Sequence, residues 1–84
     1  MEPLKRQKIH GIVLARLRRV EQSNFGDCDS VGGGVYELRI HYGAGYRVYF
    51  GLDGNLVVLL NGGSKSTQDR DIRTAKGYWE DYNA

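Results

Sequence analysis

Two adjacent stretches of the sequence carry the residue types that could act on a phosphate. Residues 35–42 alternate strictly between apolar and polar side chains, as expected of a half-buried β-strand, and residues 46–52 follow after a short glycine-rich loop. If Tyr42 pairs with Tyr46, one face of this hairpin gathers four cationic and aromatic side chains: Arg39, His41, Arg47 and Tyr49. Because cross-strand neighbours lie about 5 Å apart, the two arginines and the histidine are close enough to share one phosphate group.

Strands and helices are predicted around this face from periodicity and turn residues. Gly43-Ala44-Gly45 is a hairpin loop and Asp53-Gly54 marks a tight turn. The predicted elements are a helix over about residues 4–21, strands over about 35–42, 46–52 and 55–61, and a helix over about 67–82. The expected fold is α+β: one domain over residues 1–84 with an N-terminal helix, a three-stranded antiparallel meander and a C-terminal helix.

The segments beside the central hairpin are interpreted from their composition. Residues 29–34 end in three glycines and are expected to form an irregular loop. Residues 56–60 form an uninterrupted apolar run, so both faces of the third strand are expected to be covered, with Val57 and Leu59 on the core side. The C-terminal helix would cover part of the opposite face and leave a groove beside Arg39, Arg47 and Lys65.

Positive charge is concentrated near the N-terminus. The first 22 residues contain six lysines and arginines but only two acidic residues, whereas the whole chain has a net charge of +2. This asymmetry fits an anionic partner such as nucleic acid, and Arg16, Arg18 and Arg19 are candidate RNA-binding residues together with Tyr49. An ordinary solvated helix face explains the same charge pattern equally well.

Cysteine content and hydropathy limit the class of protein. The single cysteine, Cys28, excludes an internal disulfide and cannot build a zinc site even with His10 and His41, so no metal or cofactor is expected. No apolar run approaches the ~20 residues that span a bilayer, and no secretory signal is visible. We therefore expect a protein of the reducing cytoplasm that has no membrane association.

Three blocks of the sequence resemble a known class of proteins. They are NFGD at residues 24–27, VGGGVYELRIHYGAGYRVYF at residues 31–50 and LLNGGSKSTQDRDIRTAKGYWEDY at residues 59–82. With these blocks, about residues 9–82 resemble the phage-derived addiction-module killer proteins, which are HigB-like members of the RelE/ParE toxin superfamily. Members of that superfamily usually begin with an extra strand and a helix of which this sequence shows little. Either the sequence begins late, or this is a shortened member whose sheet lacks one strand and exposes an edge.

The resemblance implies the toxin half of a bacterial type II toxin–antitoxin pair. The RelE and HigB branches cut mRNA in the ribosomal A site, so a metal-independent endoribonuclease is the principal interpretation. A ParE-like gyrase inhibitor and a shortened, non-catalytic remnant that binds only antitoxin or nucleic acid are the alternatives. The implied partners are a cognate antitoxin, the ribosome and mRNA, and an unpaired sheet edge would allow a homodimer.

The resemblance also implies roles for individual residues. Arg47 matches the strand arginine that contacts the scissile phosphate in the superfamily, and Lys65 lies where the superfamily places an active-site lysine or arginine. Arg39 joins them by geometry, His41 is the candidate general acid or base, and Tyr49 could stack on a base. A structural ion pair of Arg39 with the neighbouring glutamate and a plain surface role for His41 are the alternatives.

Overall fold

The computed structural model describes residues 15–20, 26–43 and 45–84. Residues 15–20 are helical and form the described part of α1, whereas the rest of the helix predicted over residues 4–21 lies outside the described residues. The other elements are β1 (Cys28–Gly32), β2 (Val35–Ile40), β3 (Tyr46–Asp53), β4 (Leu56–Ser64), a 3-10 turn (Lys65–Thr67) and α2 (Gln68–Asn83). Within the described ranges, no helix is long and apolar enough to cross a bilayer.

The sheet is an antiparallel meander in which the strands follow chain order, β1-β2-β3-β4. The predicted α+β class is confirmed, but β1 forms a fourth strand where the composition favours a loop. Cys28 pairs with Leu38 of β2, and the hairpin is closed by Gly33 and Gly34, which have positive φ angles of 63° and 83°. The short, polar sequence of β1 lacks the apolar alternation by which strands are recognised, because β1 is an edge strand held by main-chain pairing.

The β2–β3 register differs by two residues from the expected one. Ile40 pairs with Tyr46, so the hairpin loop comprises residues 41–45 and is longer than the three residues predicted from the glycines. The loop carries its own main-chain hydrogen bond, in which the Gly45 N–H donates to the Tyr42 carbonyl oxygen over 3.1 Å. The longer loop explains the slip, because the register of a hairpin is set by the length and geometry of its turn.

A slip of two residues leaves every side chain on its predicted face. Arg39 pairs with Arg47 and Glu37 pairs with Tyr49, so the polar face of the hairpin is preserved. The predicted pairs of His41 with Arg47 and of Arg39 with Tyr49 are therefore wrong. His41 lies one residue beyond the end of β2.

Each face of the sheet carries its own apolar cluster. The buried residues of the first cluster, on the face covered by α1, are Val20, Leu38, Ile40 and Phe50. The buried residues of the second cluster, on the face covered by α2, are Val35, Tyr49 and Ala75. Since β2 and β3 supply side chains to both clusters, these two central strands connect the two halves of the core.

Trp79 fixes the second half of α2 on the sheet. Its indole occupies the space that a side chain at Gly51 would need, and a Cβ at Gly34 would lie 2.6 Å from its Nε1. The indole also stacks on the ring of Tyr82, with centroids 5.3 Å apart. The Tyr82 hydroxyl donates to Asp53 over 2.7 Å, so α2 is tied to the end of β3 as well.

The last strand carries a β-bulge and is less covered than its sequence predicts. Tyr49 of β3 pairs with Asn61, and the next residue, Phe50, pairs with Leu59. Leu60 therefore has no pairing partner in β3 and is the extra residue of the bulge. Two residues of β4 are more than half exposed, Leu56 at 56% and Leu59 at 51%. The expectation that both faces of this strand are covered is therefore wrong at these two positions, because β4 is an edge strand of the described sheet.

Candidate functional site

Arg39 is held by three carboxylates. Its Nη2 lies 2.6 Å from Asp27 Oδ1 and 2.7 Å from Asp29 Oδ2, and its Nη1 lies 3.2 Å from Glu37 Oε1. The ion pairs with Asp29 and Asp27 join the C-terminal end of β2 to β1 and to the residue that precedes β1. The geometry therefore supports the structural interpretation of Arg39, since its donors are already used within the fold.

His41 lies just beyond the end of β2, and its side chain is 74% exposed. Its Nε2 contacts Asp27 Oδ2. Hydrogen bonds from Arg39 and then from His41 lower the pKa of Asp27 from 3.8 to about 2. An accessible imidazole beside a carboxylate can exchange protons with a bound molecule, so the geometry is compatible with the predicted acid or base role.

Glu37 is a buried carboxylate that the sequence suggests only as an ion-pair partner of Arg39. It is 3% exposed, and its Oε2 accepts hydrogen bonds from the Tyr49 hydroxyl over 3.1 Å and from the Gln68 side-chain amide over 2.7 Å. Tyr49 is completely buried, and this burial, together with the hydrogen bond to Glu37, raises the pKa of its hydroxyl. A ring without exposed surface cannot stack on a base, which corrects the predicted role of Tyr49.

Arg47 is directed at the same carboxylate but is less tightly engaged. Its Nε lies 3.6 Å from Glu37 Oε1, and its side chain is 15% exposed. That distance is too long for a hydrogen bond, and among the described residues this buried Nε has no hydrogen-bond partner. The described residues therefore engage Arg47 less fully than Arg39, because they leave its buried Nε without a hydrogen bond.

A shallow groove of about 460 Å³ opens at the start of α2. The 3-10 turn and the first two turns of α2 line it. Its charged lining residues are three cations, Lys65, Arg70 and Arg73, and one carboxylate, Asp69. The excess of positive charge makes the groove suited to an anionic ligand.

All four predicted catalytic residues lie at one end of the sheet, where Arg39 pairs directly with Arg47. His41 follows the last residue of β2, Arg47 is the second residue of β3, and Lys65 follows the last residue of β4. These ends are aligned because Tyr46, the first residue of β3, pairs with the last residues of β2 and β4. Neighbouring strands are about 4.8 Å apart, so the main chain at His41 and Lys65 is separated by about 10 Å with Arg47 between them.

Gly63 allows the start of α2 to pack against β4. A Cβ at this position would overlap the carboxylate of Asp71 and lie 2.7 Å from Thr67 Oγ1. The Thr67 hydroxyl donates to Asp71 Oδ2 over 2.5 Å, and the side-chain amide of Asn61 donates to the Asp71 carbonyl oxygen over 3.1 Å. Gly63 and Asp71 therefore hold Thr67, which lines the groove, in its position.

The three candidate RNA-binding arginines of α1 have different surroundings. Arg16 is half-buried, and its Nη1 donates to the main-chain carbonyl oxygen of Arg39 over 2.9 Å. Arg18 and Arg19 are exposed. Because α1 packs on the face of the sheet opposite α2, the structure does not bring these arginines together with Arg47 and Lys65.

Sequence reasoning missed three residues that line the groove, Gln68, Arg70 and Arg73. The hydrogen bonds of Glu37 with Tyr49 and Gln68 were not predicted either, since the sequence suggests Glu37 only as a partner of Arg39. Arg70 and Arg73 lie on the polar side of α2, where charged residues normally face solvent, so they gave no distinct signal.

In the described part of the chain, no group of three or more histidine, cysteine or acidic side chains is placed to hold a metal ion.

Comparison with known proteins identifies the family. An uncharacterized protein of Haemophilus influenzae is 49% identical over 77 residues, which are 90% of this chain and 78% of that protein. No solved structure matches the chain. The sequence model of the family described as "Phage derived protein Gp49-like (DUF891)" matches residues 3–79, a range that includes His41, Arg47 and Lys65. The chain therefore belongs to the Gp49-like family of phage-derived proteins.

Proposed function

We propose that this chain is the toxin of a bacterial type II toxin–antitoxin pair and that it cuts mRNA on the ribosome. The observation that carries the proposal is the aligned row of His41, Arg47 and Lys65 at one end of the sheet, beside a cationic groove. The sequence blocks shared with HigB-like killer proteins support the toxin role. Membership of a phage-derived family is consistent with it.

This row contains the groups that cleavage of RNA without a metal requires. The 2′-oxygen attacks phosphorus and loses its proton, a cyclic phosphate forms, and the 5′-oxygen leaves and takes up a proton. In the proposal, Arg47 binds the phosphate oxygens through donors that Glu37 leaves free, and Lys65 adds a second positive charge. His41 is exposed and transfers one of the two protons.

A single imidazole explains why the ribosome is a proposed partner. General acid–base cleavage needs both an acid and a base, and the row holds only one imidazole, that of His41. A ribosomal group or an oriented 2′-hydroxyl supplies the other function in this proposal. A cognate antitoxin that keeps the toxin inactive in the bacterial cytoplasm is the remaining proposed partner.

Expression of the chain without an antitoxin in a bacterium, with growth followed and RNA 5′ ends mapped, tests the proposal. We expect growth arrest with new 5′ ends inside translated codons. Arg47→Ala and Lys65→Ala should each reduce cleavage about 100-fold, because each removes a charge from the scissile phosphate. Lys76→Ala is the matched control: it removes the same charge from α2, but Lys76 lies beside Gly32 and Gly33, and full cleavage is expected.

Other outcomes separate the alternatives. Growth arrest with intact mRNA and a DNA-damage response would contradict RNA cleavage and favour gyrase inhibition of the ParE kind. No arrest from a folded chain would favour a remnant that only binds antitoxin or nucleic acid. Equal loss of cleavage in Lys76→Ala and Lys65→Ala would contradict the position of the site, provided that circular dichroism shows both variants folded.

A further inference from the structure

The carboxylate of Glu37 joins three elements inside the protein. Glu37 lies in β2 and is 3% exposed. Its Oε2 accepts hydrogen bonds from Tyr49 of β3 over 3.1 Å and from Gln68 of α2 over 2.7 Å. Its Oε1 accepts a hydrogen bond from Arg39 Nη1 over 3.2 Å. These three donors hold the carboxylate in one orientation, because rotation would leave buried polar groups without partners.

This fixed carboxylate attracts Arg47 without a hydrogen bond to it. Arg47 Nε lies 3.6 Å from Glu37 Oε1, which is beyond hydrogen-bond distance. The opposite charges still attract each other at that distance, and the attraction is strong because the two side chains are only 15% and 3% exposed. Glu37 therefore limits the orientations that the guanidinium of Arg47 can take.

We propose that Glu37 is the positioning residue of Arg47 and holds its guanidinium in the orientation that binds the scissile phosphate. In the proposed RNA cleavage, on which this inference rests, Arg47 contacts the phosphate and Glu37 acts only through Arg47, since Glu37 is buried. A guanidinium binds two phosphate oxygens at once, and a fork that is already oriented loses less freedom on binding. A loosely held Arg47 would take several orientations, of which few stabilise the transition state.

Gln68 connects the same carboxylate to the groove. Its side chain lines the groove at the start of α2, and its amide makes the shorter of the two hydrogen bonds to Glu37 Oε2. Without this amide, Glu37 would keep the hydroxyl of Tyr49 on Oε2 but could rotate toward Arg47. Gln68→Ala is therefore a second variant that changes the orientation of Arg47, and it leaves the buried charge of Glu37 in place.

Single-turnover cleavage of mRNA on ribosomes by an excess of the purified chain tests the proposal. Raising the concentration of the chain separates the maximal rate from the half-saturating concentration. Glu37→Gln should lower the maximal rate at least about tenfold and leave the half-saturating concentration unchanged, because it releases Arg47 without altering the surface of the chain. A loss of folded chain would do the reverse, since fewer active molecules raise only the half-saturating concentration. Glu80→Gln is the matched control: it removes the same charge from an exposed position of α2 and should keep both values.

The Nε–H signal of Arg47 in ¹H–¹⁵N spectra reports the orientation of its side chain independently of cleavage. Arg47→Lys identifies the signal by its loss. Both Glu37→Gln and Gln68→Ala should shift the signal and speed the exchange of its buried proton, whereas Glu80→Gln should not. An unchanged signal or an unchanged maximal rate in Glu37→Gln would overturn the proposal. A natural chain that cuts no mRNA, but whose Arg47 signal responds to Glu37→Gln, would contradict the proposed cleavage and support the control of Arg47 by Glu37.

Discussion

Arg39 and Arg47 are the same residue type and pair directly across β2 and β3, yet their surroundings differ. Three carboxylates engage Arg39, and two of them, Asp27 and Asp29, come from a segment that the sequence does not reveal as a neighbour. Among the described residues, the carboxylate recorded beside Arg47 is that of Glu37, 3.6 Å from its Nε. Sequence alternation could place both arginines on one face, but it could not assign their partners, because those depend on the unrecognised strand β1.

At the residue scale, the Asp27 cluster predicts a specific response to acid. The folded-state pKa of about 2 is lower than the ordinary value of 3.8, so ionised Asp27 stabilises the fold above pH 3.8. That stabilisation is lost as the pH falls from about 3.8 to about 2, where the carboxylate becomes protonated. Urea unfolding at a series of pH values should show Asp27→Asn less stable than the natural chain at pH 7, with a smaller further loss in acid.

A matched comparison isolates this effect. Asp81→Asn changes an exposed aspartate of α2 in the same way and should retain the acid dependence of the natural chain. If Asp27→Asn lost stability in acid as steeply as the natural chain, the ion pairs of Asp27 with Arg39 and His41 would not explain the lowered pKa.

At the scale of elements, the sequence was informative where periodicity is strong. β2, β3 and α2 have clear apolar patterns, and all three lie within two residues of their predicted bounds. β1 was missed because it is short and polar, and the two-residue slip arose because the glycines at 43 and 45 were assigned a three-residue loop. The sequence predicts a groove beside Arg39, Arg47 and Lys65, but of these three only Lys65 lines the observed groove. The support of Thr67 by Asp71 could not be predicted, because it depends on the packing of α2 on Gly63.

The packing of α2 on β4 predicts opposite effects of two glycine substitutions. Gly63→Ala should destabilise the fold by about 1–3 kcal/mol, because the added methyl group overlaps the carboxylate of Asp71. Gly77→Ala, in the middle of α2 with no atom within 4 Å of the new Cβ, should stabilise it by about 0.5–1 kcal/mol through helix propensity. Urea unfolding measures both. A stable Gly63→Ala variant would mean that α2 can shift away from β4.

At the scale of the whole molecule, the two apolar clusters share the same two central strands. We therefore expect a single cooperative unfolding transition. Trp79 is the one tryptophan of the chain, and it reports on the cluster beneath α2. Leu38→Ala removes a side chain of the other cluster and should cost about 2–5 kcal/mol. Tryptophan fluorescence and far-ultraviolet circular dichroism should shift together in this variant, whereas separate transitions would show that the clusters unfold independently.

The meander connectivity also affects the order in which the elements fold during synthesis. Each strand pairs with the next one along the chain through a short loop, so the entropic cost of closing each hairpin is small. The bond from Gln68 to Glu37 joins residues 31 positions apart, and it forms only when α2 has docked. On a nascent chain, we expect the sheet to assemble before α2 leaves the ribosome. The groove at the start of α2, which Lys65 lines, would then be the last part of the protein to form.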